Sequence, residues 1–285
     1  DYTMAPAKDH LFGFLGILKK YLKAPLHIHN HTQRFIHAVE NNARVENWAT
    51  ATQLQQIFNK TQHSSAATVY LSDWQPSVSC HNIKESHCYT KPWVASCGLW
   101  NMFHTMTVSA AADHGGKPLE VIDAIKGFMY NFFFCGDCRY HFLGMYHQTI
   151  GTYNKSVDTV DKAILWLWCV HNTVNEAWGH EKGNYWPKHP PFPLPGACHD
   201  CWDPPRKSGS EYTNCSALFC RNQQGDDICF SAKSEPMQEQ PFPRTYRNFS
   251  MLHVLAYLKG VYSGPYLEIN SGDKKKLTFR ENINC

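Results

Sequence analysis

The 285-residue sequence lacks the patterns that mark several large protein classes. No stretch approaches 18 uninterrupted apolar residues, so we expect no membrane-spanning helix. The formal net charge is only +3, which indicates neither a nucleic-acid-binding surface nor a basic face for membrane binding. Glycine-rich loops of the GxGxxG or Walker type are also absent, so a nucleotide site of the usual α/β kind is not expected.

Cysteine, in contrast, is abundant. The chain has twelve cysteines, which is more than an ordinary cytosolic enzyme of this size carries. Asn-x-Ser/Thr glycosylation acceptors accompany them, and each of these alone would be weak evidence. Together the two features predict a disulfide-bonded glycoprotein of the secretory pathway (Golgi or endoplasmic reticulum lumen) or of the extracellular space. The acceptors are Asn30, Asn59, Asn154, Asn214 and Asn248.

Apolar residues recur at helical spacing along much of the chain, which predicts an all-α fold. Short connections between the helices favour an antiparallel bundle. Pro118 suits the first turn of one helix, Asp161 is expected to open another, and 249–262 is predicted as the last. The apolar stripes are Leu11, Phe14, Leu15, Leu18 and Leu22; Trp48, Ala51, Leu54 and Phe58; Leu99, Met102, Phe103, Met106 and Ala110; Val121, Ile122, Ile125, Phe128 and Phe132; and Ile164, Leu167, Trp168, Val174 and Trp178.

Two CxxC motifs are the first candidates for chemistry, at 135–138 (CGDC) and 198–201 (CHDC). Two cysteines at this spacing can close a small exchangeable disulfide, and a position at a helix start favours the thiolate of one of them. Four thiolates from the two motifs could instead form a tetrahedral zinc site. The chain would then be a zinc-stabilised secreted interaction domain without catalysis. A disulfide-rich binding module would need neither zinc nor a redox centre.

Two helical faces shift the balance away from zinc. Cys97, Trp100 and His104 fall on one face of a predicted helix. Trp168, His171, Asn172 and Asn175 share a face of another. A zinc site needs neither face, whereas a planar, polar, aromatic cofactor needs rings to stack on and amide or imidazole groups to bond. Either face alone is better explained as a core tryptophan beside a satisfied histidine. Both together, flanking a CxxC motif, favour a cofactor.

The ordered motifs CGLWxxFH, FFxCxxCxxHF, WLWxxHNxVN and a late CxxC resemble those of the Erv/ALR flavin-linked sulfhydryl oxidases. The WLWxxHNxVN form and its flanks look most like the oxidase half of a quiescin-sulfhydryl oxidase. The resemblance covers 76–202 and resumes at 249–262. It implies an Erv-type antiparallel helical bundle that binds FAD, oxidises dithiols to disulfides and reduces oxygen to hydrogen peroxide, with no metal site.

The resemblance also implies roles for individual residues. Cys135 would exchange with a reduced dithiol substrate, and Cys138 would lie against the flavin. Lys188 would contact a flavin phosphate. The other positions implied to contact the flavin are Trp100, His104, Asp137, His141, Trp168, His171, Asn172, Asn175 and Phe192.

Two departures from the family pattern stand beside these matches. Trp93 occupies the place of a family arginine that contacts a flavin phosphate, and Cys169 occupies the place of a family serine. The family also implies the disulfides Cys80–Cys97 and Cys198–Cys201. No pairing is assigned to the six remaining cysteines, because six cysteines allow fifteen pairings. These are Cys88, Cys169, Cys215, Cys220, Cys229 and Cys285.

The predicted organisation has three parts: 1–75, 76–264 and a tail at 265–285. The first resembles, more weakly, the helix-rich degenerate oxidase-like segment of the family, which would pack on the active domain and make the chain a monomeric pseudo-dimer. The second is the oxidase domain, with a polar insertion at about 203–243. No thioredoxin-type WCGHC-like motif occurs, so we expect a carboxy-terminal portion whose upstream thioredoxin-type partner is absent. Such a chain should oxidise small dithiols better than reduced protein clients.

Overall fold

In the computed structural model, the predicted all-α class is confirmed, since helices make up most of the described chain. The structure describes residues 4–22, 33–34, 36–41, 93–133, 135–151, 157–181, 192–193, 196–202, 212–213, 215, 219 and 249–263. No described helix is both long enough and apolar enough to cross a membrane. The stripe from Trp48 to Phe58, the Cys80–Cys97 pair, Lys188 and the tail at 265–285 lie outside the residues or side chains described.

Within the described ranges, the helices that carry the core are α1 (Met4–Tyr21), α2 (Trp93–Ala112), α3 (Pro118–Phe132), α4 (Gly136–Tyr146), α5 (Val160–Glu181) and α6 (Met251–Tyr262). A π-helical turn, His147–Gly151, follows α4, and a 3₁₀ turn covers His199–Cys201. Two short strands, β1 (Tyr212–Thr213) and β2 (Phe249–Ser250), pair antiparallel.

The helix boundaries agree closely with the apolar patterns and differ at three starts. Pro118 is indeed in the first turn of its helix. However, α2 begins at Trp93 rather than at Cys97, and α5 begins at Val160 rather than at Asp161. Phe249 is extended rather than helical, because its backbone pairs with the β1 strand and with Trp202.

The core lies where α2, α3, α5 and α6 pack together. The central helix is α5, whose residues from Ala163 to Asn172 are all buried. Two tryptophans, Trp166 and Trp168, are among the largest fully buried side chains, and they project from α5 toward different neighbours. A helix buried on all sides holds its side chains rigidly, which suits it to position a site.

Helix α1 joins the same core by packing on α3 and α2. The ring of Phe14 stacks on Phe128, with 4.5 Å between centroids, and meets Phe103 edge-on. The His10 ring lies over Gly127, where an added Cβ would come within 3.0 Å of it. His10 Nδ1 also lies 2.6 Å from the Asn131 amide nitrogen. The division between 1–75 and 76–264 stays a prediction.

Candidate active site

The CGDC motif marks the start of α4. Cys135 is the N-cap residue, and its Sγ accepts a hydrogen bond of 3.2 Å from the backbone N–H of Cys138. The two cysteines form a disulfide with 5.3 Å between their Cα atoms. Unpaired backbone amides at a helix start stabilise negative charge, so this position favours a thiolate once the bond is reduced. The motif is therefore built for exchange.

The disulfide is accessible from solvent. Both cysteines are only partly buried, while Gly136 and Asp137 between them are exposed. Arg139, just after the motif, donates from Nη1 to the Tyr130 carbonyl at 3.3 Å, tying the start of α4 to the end of α3. A thiolate attacking a disulfide must approach along the S–S axis, and the partial exposure of both cysteines leaves the bond within reach of a substrate.

Helix α4 connects the motif to the central helix. The rings of Phe142 and Tyr146 both meet Trp166 edge-on, with centroid distances of 6.0 Å and 6.2 Å. Trp166 in turn donates from Nε1 to the Thr149 hydroxyl in the π-helical turn. The helix that begins at the CGDC thus packs on the helix that carries Trp168 and its neighbours.

A cluster of rings lies at the junction of α2, α5 and α6. Trp100 and His171 stack nearly in parallel, at 4.3 Å and 5°. His104 stacks on Tyr262 at 5.1 Å, and His171 stacks on Phe192 at 5.7 Å. We call Trp100, His104, His171, Phe192 and Tyr262 the ring cluster. Its flat faces match the demands of an aromatic ligand.

The two histidines of the ring cluster bond to each other. His104 Nε2 lies 3.2 Å from His171 Nδ1, and both side chains are buried. Burial lowers the pKa of His104 to about 3, and burial together with the charge of His104 lowers the pKa of His171 well below its usual value. Both imidazoles are therefore neutral near pH 7, because a buried cation without a partner is costly.

Neutrality has a consequence for the outer nitrogens of this pair. Whichever histidine donates to the other is left with a bare acceptor nitrogen, and its partner keeps a free N–H donor. His104 Nδ1 and His171 Nε2 have no hydrogen-bond partner among the described residues. Asn175 Nδ2, buried one turn further along α5, has none there either. The site thus presents a donor, an acceptor and an amide N–H, which suits a polar heteroaromatic group.

The loop at 192–193 is fixed by side chains of α5. Asn172 bonds to both backbone groups of Phe192: its Oδ1 accepts from the N–H at 2.7 Å and its Nδ2 donates to the carbonyl at 2.8 Å. Trp168 donates from Nε1 to the same carbonyl at 2.6 Å. The Trp202 indole donates to the Pro193 carbonyl at 3.0 Å, so the loop is held from both sides.

Residues 97–189 match the protein-family model described as Erv1 / Alr family. This part of the chain is therefore similar to the Erv1/Alr family. The chain is 32% identical over 201 residues to Sulfhydryl oxidase 1 of Homo sapiens, covering 66% of the chain and 24% of that protein. It is 40% identical over 116 residues to Sulfhydryl oxidase 2 of Mus musculus, covering 37% of the chain and 16% of that protein. The matched region therefore spans a quarter or less of these relatives' own length.

The fold has a counterpart among solved structures. A sulfhydryl oxidase fragment of human QSOX1 matches with a TM-score of 0.54 at 21% identity, covering 90% of this chain and 83% of the fragment. The likeness supports the all-α helical fold. With the sequence relatives, it confirms the predicted resemblance to the carboxy-terminal portion of quiescin-type oxidases.

The structure brings most of the predicted site residues together. The ring cluster and the α5 face contain Trp100, His104, Trp168, His171, Asn172, Asn175 and Phe192. Asp137 and His141 lie apart from them, exposed on α4 beside the disulfide. The assignment of any of these residues to flavin contact stays a prediction.

Sequence reasoning missed two residues of α6 and one bond. Tyr262 stacks on His104, and Tyr257 meets Phe192 edge-on at 5.9 Å. The signal in the sequence was the presence of two tyrosines among the aliphatic residues of this helix. The unassigned Cys169 proves to be bonded to Cys215, with 5.8 Å between their Cα atoms.

The zinc alternative does not fit the arrangement of the cysteines in the two CxxC motifs. Each CxxC motif is closed on itself, as Cys135–Cys138 and as the predicted Cys198–Cys201. Disulfide sulfurs do not ligate zinc, which requires thiolates. Across the part of the chain that the structure describes, no group of three or more histidine, cysteine, aspartate or glutamate side chains could hold a metal.

Proposed function

We propose that the chain is an FAD-dependent thiol oxidase, which converts dithiols to disulfides and reduces oxygen to hydrogen peroxide. One observation carries the proposal: an accessible CGDC disulfide caps the helix that packs on α5, and α5 supplies His171 to the ring cluster and holds the Phe192 loop. The sulfhydryl oxidase relatives support the same reaction class.

The cysteines divide the work. A substrate thiolate attacks Sγ of Cys135, forming a mixed disulfide and releasing Cys138 as a thiolate. The second substrate thiol then attacks the substrate sulfur of the mixed disulfide, so the oxidised substrate leaves and Cys135 becomes a thiolate. The hydrogen bond from the Cys138 amide stabilises this departing thiolate of Cys135. The two electrons that the substrate has lost now reside on the reduced Cys135–Cys138 pair.

The ring cluster and the neighbouring face of α5 would hold the FAD. Trp100 and Phe192 offer aromatic faces for stacking. The outer nitrogens of His104 and His171 and the Asn175 amide, which have no hydrogen-bond partner among the described residues, offer polar contacts to the cofactor. FAD, when bound, supplies a two-electron acceptor for the dithiol and returns those electrons to oxygen. Burial of the cluster keeps both histidines neutral, so they act as hydrogen-bonding groups rather than as charges.

The partners follow from the chemistry. Reduced dithiols and oxygen are the substrates, and an upstream thioredoxin-type domain is the natural electron donor for such a centre. Small dithiols should reach Cys135 directly and be oxidised more efficiently than reduced proteins. The cysteine content supports a location in the secretory pathway or outside the cell. The packing of α1 on α3 and α2 supports a helix-rich segment that packs on the oxidase domain in a monomer.

The decisive experiment is a flavin spectrum of the purified protein, followed by oxygen uptake with dithiothreitol. We expect a yellow protein with one FAD per chain and one hydrogen peroxide per dithiol oxidised. Cys138→Ser should abolish turnover while flavin stays bound, and Cys198→Ser/Cys201→Ser serves as the matched control that retains activity. A colourless protein with stoichiometric zinc, or full turnover in Cys138→Ser, would contradict the proposal.

A further inference from the structure

The insertion at 203–243 is attached to the site rather than standing apart from it. Cys215 is joined to Cys169 of α5 by a disulfide whose two residues are 4% and 0% exposed. Four residues later, Phe219 is fully buried in the same hydrophobic core. Cys215 and Phe219 of the insertion therefore contribute to the interior. We call the described residues Tyr212, Thr213, Cys215 and Phe219 the strap.

A second attachment holds the strap at its other end. Strand β1 of the strap pairs with β2, so that Thr213 is opposite Phe249 and Tyr212 is opposite Ser250. The Phe249 ring meets Trp168 edge-on, with 4.9 Å between centroids. The contacts thus form a closed circuit from α5 through Trp168 and Phe249 to β1, and back to α5 through the disulfide.

The position of Cys169 on α5 determines which side of the helix this circuit of contacts holds. Successive residues of an α-helix are about 100° apart, so Cys169 projects about 60° from Asn172 and about 100° from Trp168. It lies on the flank of the face that meets the Phe192 loop. Trp168 and Asn172 both bond to the Phe192 carbonyl, so a rotation or shift of α5 would break those hydrogen bonds first.

We propose that the Cys169–Cys215 disulfide is a positioning device for the flavin site. It fixes the flank of α5, and thereby the Trp168 and Asn172 groups that hold Phe192 against His171. Its burial keeps it out of thiol exchange, so it acts through geometry and carries no electrons. This inference rests on the proposed function, since the flavin is the occupant whose binding the disulfide would tune.

The test compares two double variants. Cys169→Ser/Cys215→Ser removes the strap disulfide and places at 169 the serine of the resembling family. Cys198→Ser/Cys201→Ser removes another disulfide near the same loop and is the matched control. We expect the first variant to raise the FAD dissociation constant at least tenfold and to change the visible circular dichroism of bound flavin. The control should stay within about twofold of the wild type in affinity, with an unchanged spectrum. Each single variant, at Cys169 or Cys215, should equal the double, because either removes the same bond.

The outcomes separate the two ideas. If the wild type binds no flavin, the proposed function fails. If the wild type binds flavin and the strap variant keeps both affinity and spectrum, losing only thermal stability, the positioning role is overturned while the function stands. If the variant does not fold, peptide mapping of the native wild type still tests the inference. The map should contain a peptide pair linked through Cys169 and Cys215. A free or differently paired Cys169 would overturn the inference.

Discussion

Two disulfides of the chain, Cys135–Cys138 and Cys169–Cys215, lie in different environments. Cys135–Cys138 spans three residues, lies at a helix start and is partly exposed, whereas Cys169–Cys215 spans 46 residues and is 0–4% exposed. A disulfide is exchangeable only where a thiolate can reach it and where the departing thiolate is stabilised. The α4 start offers both conditions, and the interior beside α5 offers neither. The location of each disulfide therefore determines whether it can exchange with a substrate thiol or serves only as a structural cross-link.

The largest expected effect is the difference in their reduction rates. Under argon with limiting dithiothreitol, Cys135–Cys138 should be reduced and alkylated on the order of 100-fold faster than Cys169–Cys215, because the buried pair is shielded from thiolate attack. Differential alkylation with two isotopic forms of iodoacetamide, followed by peptide mass spectrometry, measures both rates. Equal rates in the native protein would erase the distinction, and adding denaturant should make them similar.

The second prediction concerns the hydrogen bonds beside the strap. Asn172→Ala removes both bonds to the Phe192 backbone and leaves a buried N–H without its acceptor, which should lower the free energy of unfolding by about 3 kcal/mol. Denaturant titration checks this. Thr173→Ala is the matched control, since its hydroxyl bonds only to the Cys169 carbonyl within α5, and it should cost less than about 1 kcal/mol. A similar loss in both variants would contradict the loop-holding role.

A third, smaller effect is sensitivity to acid, which should belong to the ring cluster. The pKa of His104 is about 3 in the folded chain and that of His171 is also lowered, so the unfolded state binds more protons below pH 6.5. Stability is therefore complete above pH 6.5 and falls as the pH drops toward 3, by up to about 1.4 kcal/mol per pH unit for each histidine. Urea unfolding between pH 7.5 and 5 measures this slope. His104→Asn should reduce this slope, and an unchanged slope in that variant would contradict its origin in the buried histidine pair.

The smallest effect tests the α1 contact, which lies away from both disulfides. Gly127→Ala should lower the free energy of unfolding by about 1 kcal/mol. The new Cβ would lie 3.0 Å from the His10 ring, and the cost of this crowding should exceed the gain from the higher helix propensity of alanine. His10→Ala should relieve the crowding, so the double variant should be more stable than the sum of the two single effects implies. Additive losses, read from thermal unfolding, would show that α1 does not pack on Gly127 in this way.

Periodicity predicted the helices because burial of an apolar face is a local property of the sequence. The stripe through Val121, Ile122 and Ile125 became the buried face of α3, and Pro118 marked its first turn. Phe249 escaped this reasoning because its extended conformation depends on pairing with a strand more than 30 residues earlier in the chain. Pairing across such a distance leaves no periodic trace in either segment.

The site residues also fall into two groups, those that sequence spacing predicts and those whose positions depend on contacts with distant parts of the chain. Trp168, His171 and Asn172 share a helix face, so their convergence could be predicted from spacing alone. Phe192 could be placed only through the family resemblance, since its position depends on two backbone hydrogen bonds from Asn172. The Cys169–Cys215 bond was beyond prediction, because a cysteine count allows many pairings and only the packing of the insertion selects one.

The 46-residue separation of Cys169 and Cys215 makes a covalent ring of that stretch of chain. The covalent ring contains His171 and Phe192, two members of the ring cluster, and also the Cys198–Cys201 turn. Loop-closure theory assigns such a ring about 4 kcal/mol of lost entropy in the unfolded chain. It also changes what a protease can accomplish: a single cut anywhere inside the ring leaves the two pieces joined, and each still anchored to α5.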